Sequence, residues 1–387
     1  MLNILHVIPS ISAYYGGPSQ AVIDTVKALQ LIGVNAEVAT TNDNVTSYLD
    51  VPLYKQTEYE GIPVWFFPCI RSKIRLSFQM VVWLWKNIPN YNVVHIHVLF
   101  CATSIVTAFI CQVKNVPYLI HPHGVLRKWA LSQKSYVKNL YLDLLGRKIF
   151  LKSCGIISAS SEEEEDLKIV LGDKLSSFVI PFGINIPTLI ADSRQKLCNL
   201  LGINGDLPII LFMSRLHPVK GLEYLIPALG NIKNRKFCLI LAGKGDATYE
   251  SQIKQLLVQH NISNNVIHVG FISGSEKLLF LQGSDLFVMT SLSENFGLSV
   301  LESMSSQLPV LITDNVPLSV IVKQYQLGYV SQLDIDAITQ NLLLFLDDLC
   351  EARQMGLRSR QVVLEQYRWD VIAHQLADLY TSVSKSS

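Results

Sequence analysis

Short apolar runs that alternate with longer amphipathic stretches limit most strongly what this chain can fold into. Such a rhythm is typical of βα units, in which parallel strands are buried between layers of helices. In the first half, strands are predicted at Asn3–Ile8, Asn35–Thr40, Val64–Phe67, Val93–His97, Tyr118–His121 and Gly155–Ala159. The rhythm then restarts, with strands predicted at Pro208–Met213, Lys236–Ala242, Val266–Val269, Leu286–Met289, Pro309–Ile312 and Gly328–Val330. We therefore predict two α/β domains with parallel sheets.

The chain of 387 residues is long enough for two domains that each bury a core. Pro181, Gly183 and Pro187 predict a stiff connection between them. The predicted domains are therefore residues 1–183 and 184–368, followed by a final helix predicted from Trp369 to Val383.

Charge is distributed unevenly along the chain, although the net charge is only +1 and does not favour nucleic acid as a partner. Residues 61–161 contain twelve Lys or Arg and a single acidic residue, Asp143. Such a segment indicates a surface that meets phosphates or an anionic membrane, or else a set of ordinary solvated helix faces.

Two groups combine these basic residues with aromatic ones. The first group is Arg71, Lys73, Arg75, Trp83, Trp85 and Lys86, and the second is Arg127, Lys128, Trp129, Lys134, Tyr136, Lys138 and Tyr141. Rings at headgroup level with cations on phosphates are typical of peripheral membrane contact, which we predict for the inner face of the plasma membrane. The alternative is that the rings belong to the core under a solvated surface.

Other features bear on the compartment. Seven cysteines without a Cys-x-x-Cys pair predict neither a disulfide framework nor a zinc site, and favour the cytoplasm. The N-terminus lacks the pattern of a signal peptide and fits a first strand. Residues 93–113 contain no charged side chain, but they include His95, His97 and Gln112, so a strand followed by a helix is expected rather than a membrane span.

The segment Ser293–Glu302 carries the most chemistry. Its two carboxylates, Glu294 and Glu302, are eight residues apart around a turn that leads into a predicted helix. The first N–H groups of a helix lack intrahelical partners, so they favour an anion. Glu294 is then placed to accept hydrogen bonds from a sugar, and Glu302 to reach a ribose diol. The residues predicted to bind the same ligand between these two glutamates are Asn295, Phe296, Gly297 and Leu298.

Arg215 and Lys220 follow the first strand of the second domain. Arg offers a bidentate fork and Lys a compact charge, so both can neutralise a leaving diphosphate. The alternative is two exposed basic residues in a loop. Further along this domain, Gly243 follows one strand, where glycine allows a nucleotide to approach closely, and Phe271 with Ile272 follows the next.

In the first domain, Gly16 and Gly17 follow the first strand, where glycine lets a diphosphate approach the backbone. The pair is not a Gly-x-Gly-x-x-Gly fingerprint, which argues against a nicotinamide enzyme. His123 stands before Gly124 at the end of another strand and is expected to meet a ligand. Asp-x-Asp is absent from any loop that looks like a metal site, and no His, Cys and carboxylate cluster has ligand spacing, so no metal and no cofactor are expected.

These motifs together resemble those of the retaining GT-B glycosyltransferases of family 4, also described as glycosyl transferases group 1. Glu294 and Glu302 match the Glu-x7-Glu motif, Arg215 with Lys220 the Arg…Lys-Gly motif, and His123 the His-Gly motif. Gly16-Gly17 resembles the family's glycine loop, and Phe271 with Ile272 resembles the loop that holds the base of the nucleotide. The resemblance covers nearly the whole chain and is strongest over residues 209–314.

The resemblance implies two Rossmann-like domains whose parallel sheets face a central cleft, with residues 369–387 packing back on the first domain. It implies His123, Arg215, Lys220 and Glu294 as catalytic residues and a nucleotide-diphosphate sugar as donor, without a metal. The acceptor would be a glycan or a lipid-linked glycan, as in bacterial surface polysaccharide assembly. A sugar-nucleotide epimerase, a glycan phosphorylase and a non-enzymatic nucleotide-sugar-binding protein are the alternatives.

Overall fold

A computed structural model of the chain describes residues 2–70, 76–99, 101–125, 147–172 and 175–385. The chain divides into two compact units, one of Met1–Gly183 with Trp369–Ser387 and one of Ile184–Arg368. Gly183 lies where the chain leaves the first unit, and a Cβ there would lie 2.4 Å from the ring of Trp369. A side chain at Gly183 would therefore displace the start of the last helix.

The first unit contains a sheet of eight strands among its described residues. The strands of this unit are β1 (Asn3–Ser10), β2 (Asn35–Thr41), β3 (Asp43–Asn44), β4 (Ser47–Tyr48), β5 (Gln56–Tyr59), β6 (Ile62–Phe67), β7 (Val93–His97), β8 (Tyr118–His121), β9 (Gly155–Ser158) and β10 (Ser177–Val179). The order is β10-β9-β8-β7-β1-β2-β6-β5, and all neighbours are parallel except β5 and β6, while β3 and β4 pair separately. This sheet confirms the predicted α/β class.

Helices cover both faces of this sheet. They are α1 (Gly17–Leu31), α2 (Phe78–Asn87), α3 (Ala102–Lys114), α4 (Arg147–Leu151), α5 (Ser161–Leu171) and, after the second unit, α14 (Trp369–Lys385). Alternate residues of β1 belong to two cores, with Ile4 and Ile8 in one and Leu5 and Val7 in the other. Helices α1 and α14 pack on the first core, and α2 and α3 on the second. The C-terminal helix is thus part of the first unit.

The second unit contains a parallel sheet with strands β11 (Ile209–Met213), β12 (Cys238–Ala242), β13 (Val266–Gly270), β14 (Leu286–Met289), β15 (Val310–Thr313) and β16 (Gly328–Ser331). Its order, β13-β12-β11-β14-β15-β16, is that of a doubly wound nucleotide-binding sheet. The direction of winding changes between β11 and β14, and ligands bind outside the carboxyl ends of strands at such a point.

The helices of this unit are α6 (Ser193–Leu201), α7 (Leu222–Asn231), α8 (Ala247–Gln259), α9 (Gly274–Gly283), α10 (Leu298–Ser305), α11 (Ser319–Tyr325), α12 (Ile335–Asp347) and α13 (Leu349–Gln366). In the segment that had the length of a membrane span, β7 and α3 confirm the predicted strand and helix. Over the described parts of the chain, no helix has the length and apolar character needed to cross a membrane.

Candidate active site

The loops after β11 and β14 meet at the point where the second sheet changes its direction of winding. The N–H of Leu292 donates to the carbonyl of Val219 at 2.8 Å, and the hydroxyl of Thr290 donates to the carbonyl of Gly221 at 2.9 Å. Gly221 has φ +69°, and a Cβ there would lie 1.9 Å from the carbonyl oxygen of Thr290. The two loops therefore approach as closely as they do because this residue is glycine.

Lys220 and Glu294 form an ion pair between these two loops. The lysine and glutamate side chains are only 15% and 13% exposed. The hydroxyl of Ser291 also donates to Oε1 of Glu294, at 2.9 Å. The sequence assigned these two residues to different parts of one ligand, and the structure brings them into direct contact. Their contacts with a ligand stay predictions.

A cavity of about 430 Å³ lies within the second unit, and its described lining includes neither Lys220 nor Glu294. That volume is within the usual range for a small-molecule site. Its lining includes four residues predicted to contact the donor in addition to Arg215, namely Gly243, Phe271, Ile272 and Glu302. It also includes Lys244 and Lys277, to which the sequence gave no such role. Residues of three strand ends and two helices thus converge on one space.

The cations of the cavity differ in their partners. Lys277 lies on α9, and its Nζ is 2.6 Å from Oε1 of Glu302 on α10. Arg215 and Lys244 are exposed, and within the described ranges neither side chain has a hydrogen-bond or ion-pair partner. The cavity therefore carries positive charge that its own carboxylate does not neutralise. A diphosphate is an anion of suitable charge for such a place.

Phe271 and Phe296 have opposite environments. Phe271 lines the cavity with 71% of its surface exposed, whereas Phe296 is only 4% exposed and packs against Tyr367 with ring centroids 6.2 Å apart. A ring that is buried in this way is part of the core. The predicted contact of Phe296 with the donor stays a prediction, while an exposed ring at Phe271 offers a face on which a base can stack.

The start of α10 leaves polar groups available near the predicted turn. Gly297 is the residue before the helix, with φ +97°, and no side chain caps this helix end. Leu298 is then the first residue of the helix. The Oδ1 atom of Asn295 is buried without a hydrogen-bond partner among the described residues. An orphan acceptor of this kind in a functional loop suggests a ligand donor.

Gly243 is required by the packing around the cavity. Its φ is +147°, and a Cβ would lie 1.8 Å from the carbonyl oxygen of Ser214.

In the first unit, Gly16 has φ +72° while Gly17 begins α1, and a Cβ at either would meet nothing within 4 Å. The space at this helix start is thus open, and the predicted contact with a diphosphate stays a prediction.

His123 is held in an unusual backbone conformation at the end of β8. It has φ +55°, a region that non-glycine residues rarely adopt. The next residue, Gly124, donates its N–H to Glu163 at 2.6 Å, and the second carboxylate oxygen of Glu163 accepts the N–H of Ala159 at 2.8 Å. Glu163 is buried and thus fixes the loop that carries His123. Strain of this kind is common at functional sites.

Five histidines of the first unit form a buried cluster, namely His6 on β1, His95 and His97 on β7, and His121 and His123 at the end of β8. Burial lowers the pKa of His6 and His121 to about 3 and that of the other three well below the usual value, so all five are neutral at pH 7. Spacing along the sequence did not predict this cluster, and the expectation that no metal is bound stays a prediction. Three neighbouring strands bring these residues together although they are far apart in sequence.

Comparison with solved structures defines the class of the fold. HepE from Anabaena, in complex with UDP-glucose, aligns with a TM-score of 0.77 over 99% of this chain and 100% of that chain, at 19% sequence identity. Together with the two sheets of mainly parallel strands, this likeness identifies a GT-B fold.

Sequence comparison identifies the family. A family model described as Glycosyl transferases group 1 matches residues 193–362, and one described as Glycosyltransferase Family 4 matches residues 15–186. The chain belongs to the group 1 glycosyltransferases of GT-B type. An uncharacterised glycosyltransferase of Methanocaldococcus jannaschii is 27% identical over 76% of each chain. The UDP-Gal:alpha-D-GlcNAc-diphosphoundecaprenol alpha-1,3-galactosyltransferase of Escherichia coli is 24% identical over 79% of this chain and 78% of its own.

Proposed function

We propose that the protein is a retaining, metal-independent glycosyltransferase that moves a sugar from a nucleoside-diphosphate sugar to a glycan or lipid-linked acceptor. The observation that carries the proposal is the cavity of the second unit. Arg215 and Lys244 supply positive charge for a diphosphate, Glu302 supplies an acceptor for a ribose diol, and Phe271 supplies a ring face for a base. The relative HepE, solved in complex with UDP-glucose, supports a donor of this class.

In the proposed reaction, the bond between the anomeric carbon and the β-phosphate oxygen breaks while the acceptor oxygen bonds to the same face of the sugar. The proton of the acceptor hydroxyl passes to the leaving phosphate oxygen, so no side chain acts as nucleophile. Arg215 and Lys220 offset the charge that develops on the diphosphate, which removes the need for a metal. Glu294 holds the sugar hydroxyls, with Lys220 and Ser291 keeping its carboxylate in place.

His123 fits the role of a neutral hydrogen-bonding group toward the donor sugar. Because burial lowers its pKa well below the usual value, its imidazole carries no charge at pH 7. It can therefore exchange a hydrogen bond with a sugar hydroxyl, but it contributes no positive charge to the phosphate. The roles of Gly16 and Gly17 at the diphosphate rest on the sequence motif.

The proposed setting is surface polysaccharide assembly in the cytoplasm, at the inner face of the plasma membrane. The Escherichia coli relative is named for transfer to a diphosphoundecaprenol-linked sugar, which supports a lipid-linked acceptor. An acceptor of this kind is embedded in a bilayer, so an enzyme that uses it must approach the membrane.

One surface of the first unit suits that approach. Helices α2 and α3 pack against each other and expose Phe78, Val82, Trp85, Phe109 and Val113. Lys114 places its Nζ 4.2 Å from the ring centre of Trp85, and the sequence from Leu76 to Val125 contains no acidic residue. Apolar side chains with nearby cations are typical of contact with an anionic bilayer.

The basic and aromatic residues that the sequence predicts for this contact lie only partly on the exposed face of α2 and α3. Trp83 is half-buried and packs against Trp65 and Phe67, with ring centroids 5.0 and 5.6 Å away, so it is a core residue. Arg71, Lys73 and Arg75 lie outside the described residues, as do all members of the second group, from Arg127 to Tyr141. The proposed contact therefore rests on the exposed face of α2 and α3.

A panel of UDP-, GDP- and ADP-sugars tests the proposal. Calorimetric titration and slow donor hydrolysis identify the base and sugar, and addition of an undecaprenyl-diphosphate-linked acceptor should accelerate nucleotide release. NMR of the product should show the anomeric configuration of the donor. Arg235→Ala, in an exposed ion pair away from the cavity, is the matched control for loss of a basic side chain. Failure to bind any nucleotide sugar would overturn the proposal, and isomerised sugar formed from donor alone would favour an epimerase.

A further inference from the structure

The buried histidines of the first unit are linked through their ring nitrogens. Nδ1 of His6 lies 2.9 Å from Nε2 of His97, and Nδ1 of His97 lies 3.0 Å from Nε2 of His123. Nδ1 of His95 lies 2.7 Å from the hydroxyl of Tyr380 on α14. One nitrogen of His97 thus faces His6 and the other faces His123.

Several ring nitrogens of the cluster are nevertheless left without partners. Among the described residues, Nε2 of His6, His95 and His121 and Nδ1 of His123 are buried and make no hydrogen bond. Buried polar atoms normally have a partner, and orphans call for an ion, a water molecule or a functional role. Several orphan nitrogens in one cluster of neutral imidazoles are the donor set that divalent transition metals prefer.

We propose that His6, His95 and His97 bind one divalent transition-metal ion of the Zn²⁺ class. These residues can each offer a ring nitrogen such that all three atoms lie within 4.8 Å of one another. The site is independent of the proposed transferase reaction, because none of the three is assigned a contact with donor or acceptor.

A second group, His97 with His121 and His123, meets the same distance limit. A neutral His97 has one lone pair, so only one of the two groups can hold an ion at a time. The group of His6, His95 and His97 is the deeper one, because these three side chains are less exposed than His121 and His123. It also has the better surroundings, because metal-bound imidazoles usually donate their other N–H to a fixed partner. His95 can donate from Nδ1 to Tyr380, which leaves Nε2 for the metal. His97 can donate from Nδ1 to His123, which again leaves Nε2.

An ion at this place would connect β1 to β7. The hydroxyl of Tyr380, on the C-terminal helix, would fix the orientation of the ligand His95. Its effect would therefore be on the stability of the first unit. The expected metal content is about one ion per chain, with three protein ligands.

Metal analysis by mass spectrometry tests the site on the full chain, carrying an affinity tag without histidine and produced in medium containing Zn²⁺. Wild type should contain about one Zn²⁺ per chain. Protein that is unfolded and refolded with a chelator, which removes the ion, should have a lower melting temperature than the metal-bound protein. His6→Gln and His95→Gln should lose the metal. His374→Gln, an exposed histidine of the same unit, should keep it.

Two further variants decide between the possible readings. Tyr380→Phe keeps the ring in the core but removes the partner of His95, and it should weaken Zn²⁺ affinity about 10- to 100-fold. His121→Gln should retain the metal, and its loss there would overturn the choice of the deeper group. Wild type without bound metal would overturn the site itself and indicate water at the orphan nitrogens. Because wild type and Tyr380→Phe need no disruptive change, misfolding of the histidine variants cannot hide the answer.

Discussion

The ammonium of Lys277 lies 2.6 Å from Oε1 of Glu302 and holds that carboxylate at the edge of the cavity. The two side chains are each 30% exposed, and an ion pair with that exposure contributes at most about 1 kcal/mol to stability. Stability alone therefore gives little reason for the pair. Its geometry orients one carboxylate oxygen and leaves the other for a ligand, which suits recognition of a ribose diol.

Removal of the charge at Glu302 should weaken nucleotide binding. Glu302→Gln should raise the Kd for the nucleoside diphosphate about 10- to 100-fold, because a hydrogen bond to a charged group is lost. Calorimetric titration measures this. Glu351→Gln, which changes an exposed glutamate paired with Arg358, is the matched control and should leave the Kd unchanged. Equal affinities of Glu302→Gln and wild type would remove Glu302 from the donor site.

Parallel strands were largely predictable because buried strands are continuous apolar runs. The predictions for β7, β8 and β14 agree with the structure at both ends, and most others differ by one or two residues. Strand β5 was missed because an edge strand with exposed Gln56 and Glu58 lacks an apolar run. A signal was present in the two-residue turn Glu60-Gly61, where both residues have positive φ, as type I′ hairpins require.

The candidate site was predictable only where a motif names its residues. Arg215, Gly243, Phe271 and Glu302 were predicted and line one cavity. Lys277 was missed because a lysine in the first turns of a helix looks like an ordinary solvated charge. The histidine cluster was missed because its members alternate on separate strands, and their proximity depends on strand order. Strand order is a tertiary property that spacing along the chain does not encode.

Loss of the guanidinium at Arg215 should slow the reaction. Arg215→Ala should reduce kcat about 100- to 1,000-fold, since a group that stabilises developing charge is removed. Folding should be unaffected, because the side chain is exposed and has no partner among the described residues. Rates of nucleotide release with donor and acceptor measure the effect, with Arg235→Ala as the control. Near wild-type turnover would exclude Arg215 from the chemistry.

Lys220→Ala should combine the same kinetic loss with reduced stability, because it leaves Glu294 without its ion-pair partner. Removing one member of a largely buried ion pair leaves the other charge buried without a partner. This lowers the free energy of unfolding by several kcal/mol, about 3–5 kcal/mol for the most deeply buried pairs. Lys220→Met with Glu294→Gln together should restore stability but not turnover. Urea denaturation and kinetics on the same samples separate the two effects, and unchanged stability in Lys220→Ala would contradict the structural role.

Two phenylalanines should respond in opposite ways to truncation. Phe296→Ala should lower the free energy of unfolding by about 3–5 kcal/mol, because it empties a core position beside Tyr367. Phe271→Ala should leave stability nearly unchanged and weaken nucleotide binding by about 1–3 kcal/mol, the value of stacking on a base. Both variants are measured by denaturant unfolding and by nucleotide titration, and each variant is the control for the other. Unchanged nucleotide affinity in Phe271→Ala would place the base elsewhere.

Vesicle binding should depend on the exposed face of α2 and α3. Phe78→Ser with Trp85→Ser should reduce binding to vesicles containing phosphatidylglycerol at least about tenfold, because the apolar area available to the bilayer is lost. Val258→Ser, at an exposed apolar residue of the second unit, is the control. Co-sedimentation at low and high salt measures the loss. Full retention of binding by the double variant, Phe78→Ser with Trp85→Ser, would show that other residues make the contact.

The histidine cluster should make the metal-free protein sensitive to acid. In the unfolded chain a histidine has a pKa of about 6.5, whereas burial lowers the pKa of His6 and His121 to about 3 and that of His95, His97 and His123 well below the usual value. Between these limits the unfolded chain binds more protons than the folded one, so the free energy of unfolding falls as the pH falls below about 6.5. Each buried histidine contributes up to about 1.4 kcal/mol per pH unit.

His121→Gln isolates one of these contributions, since it removes a single titrating ring that stacks on Phe182. In urea denaturation with a chelator, the variant should lose less stability than wild type as the pH is lowered from neutral, by up to about 1.4 kcal/mol per pH unit. His374→Gln, an exposed histidine, should follow wild type at every pH. Parallel pH dependences of His121→Gln and wild type would show that His121 has the same pKa in the folded and the unfolded chain, which would contradict a pKa lowered by burial.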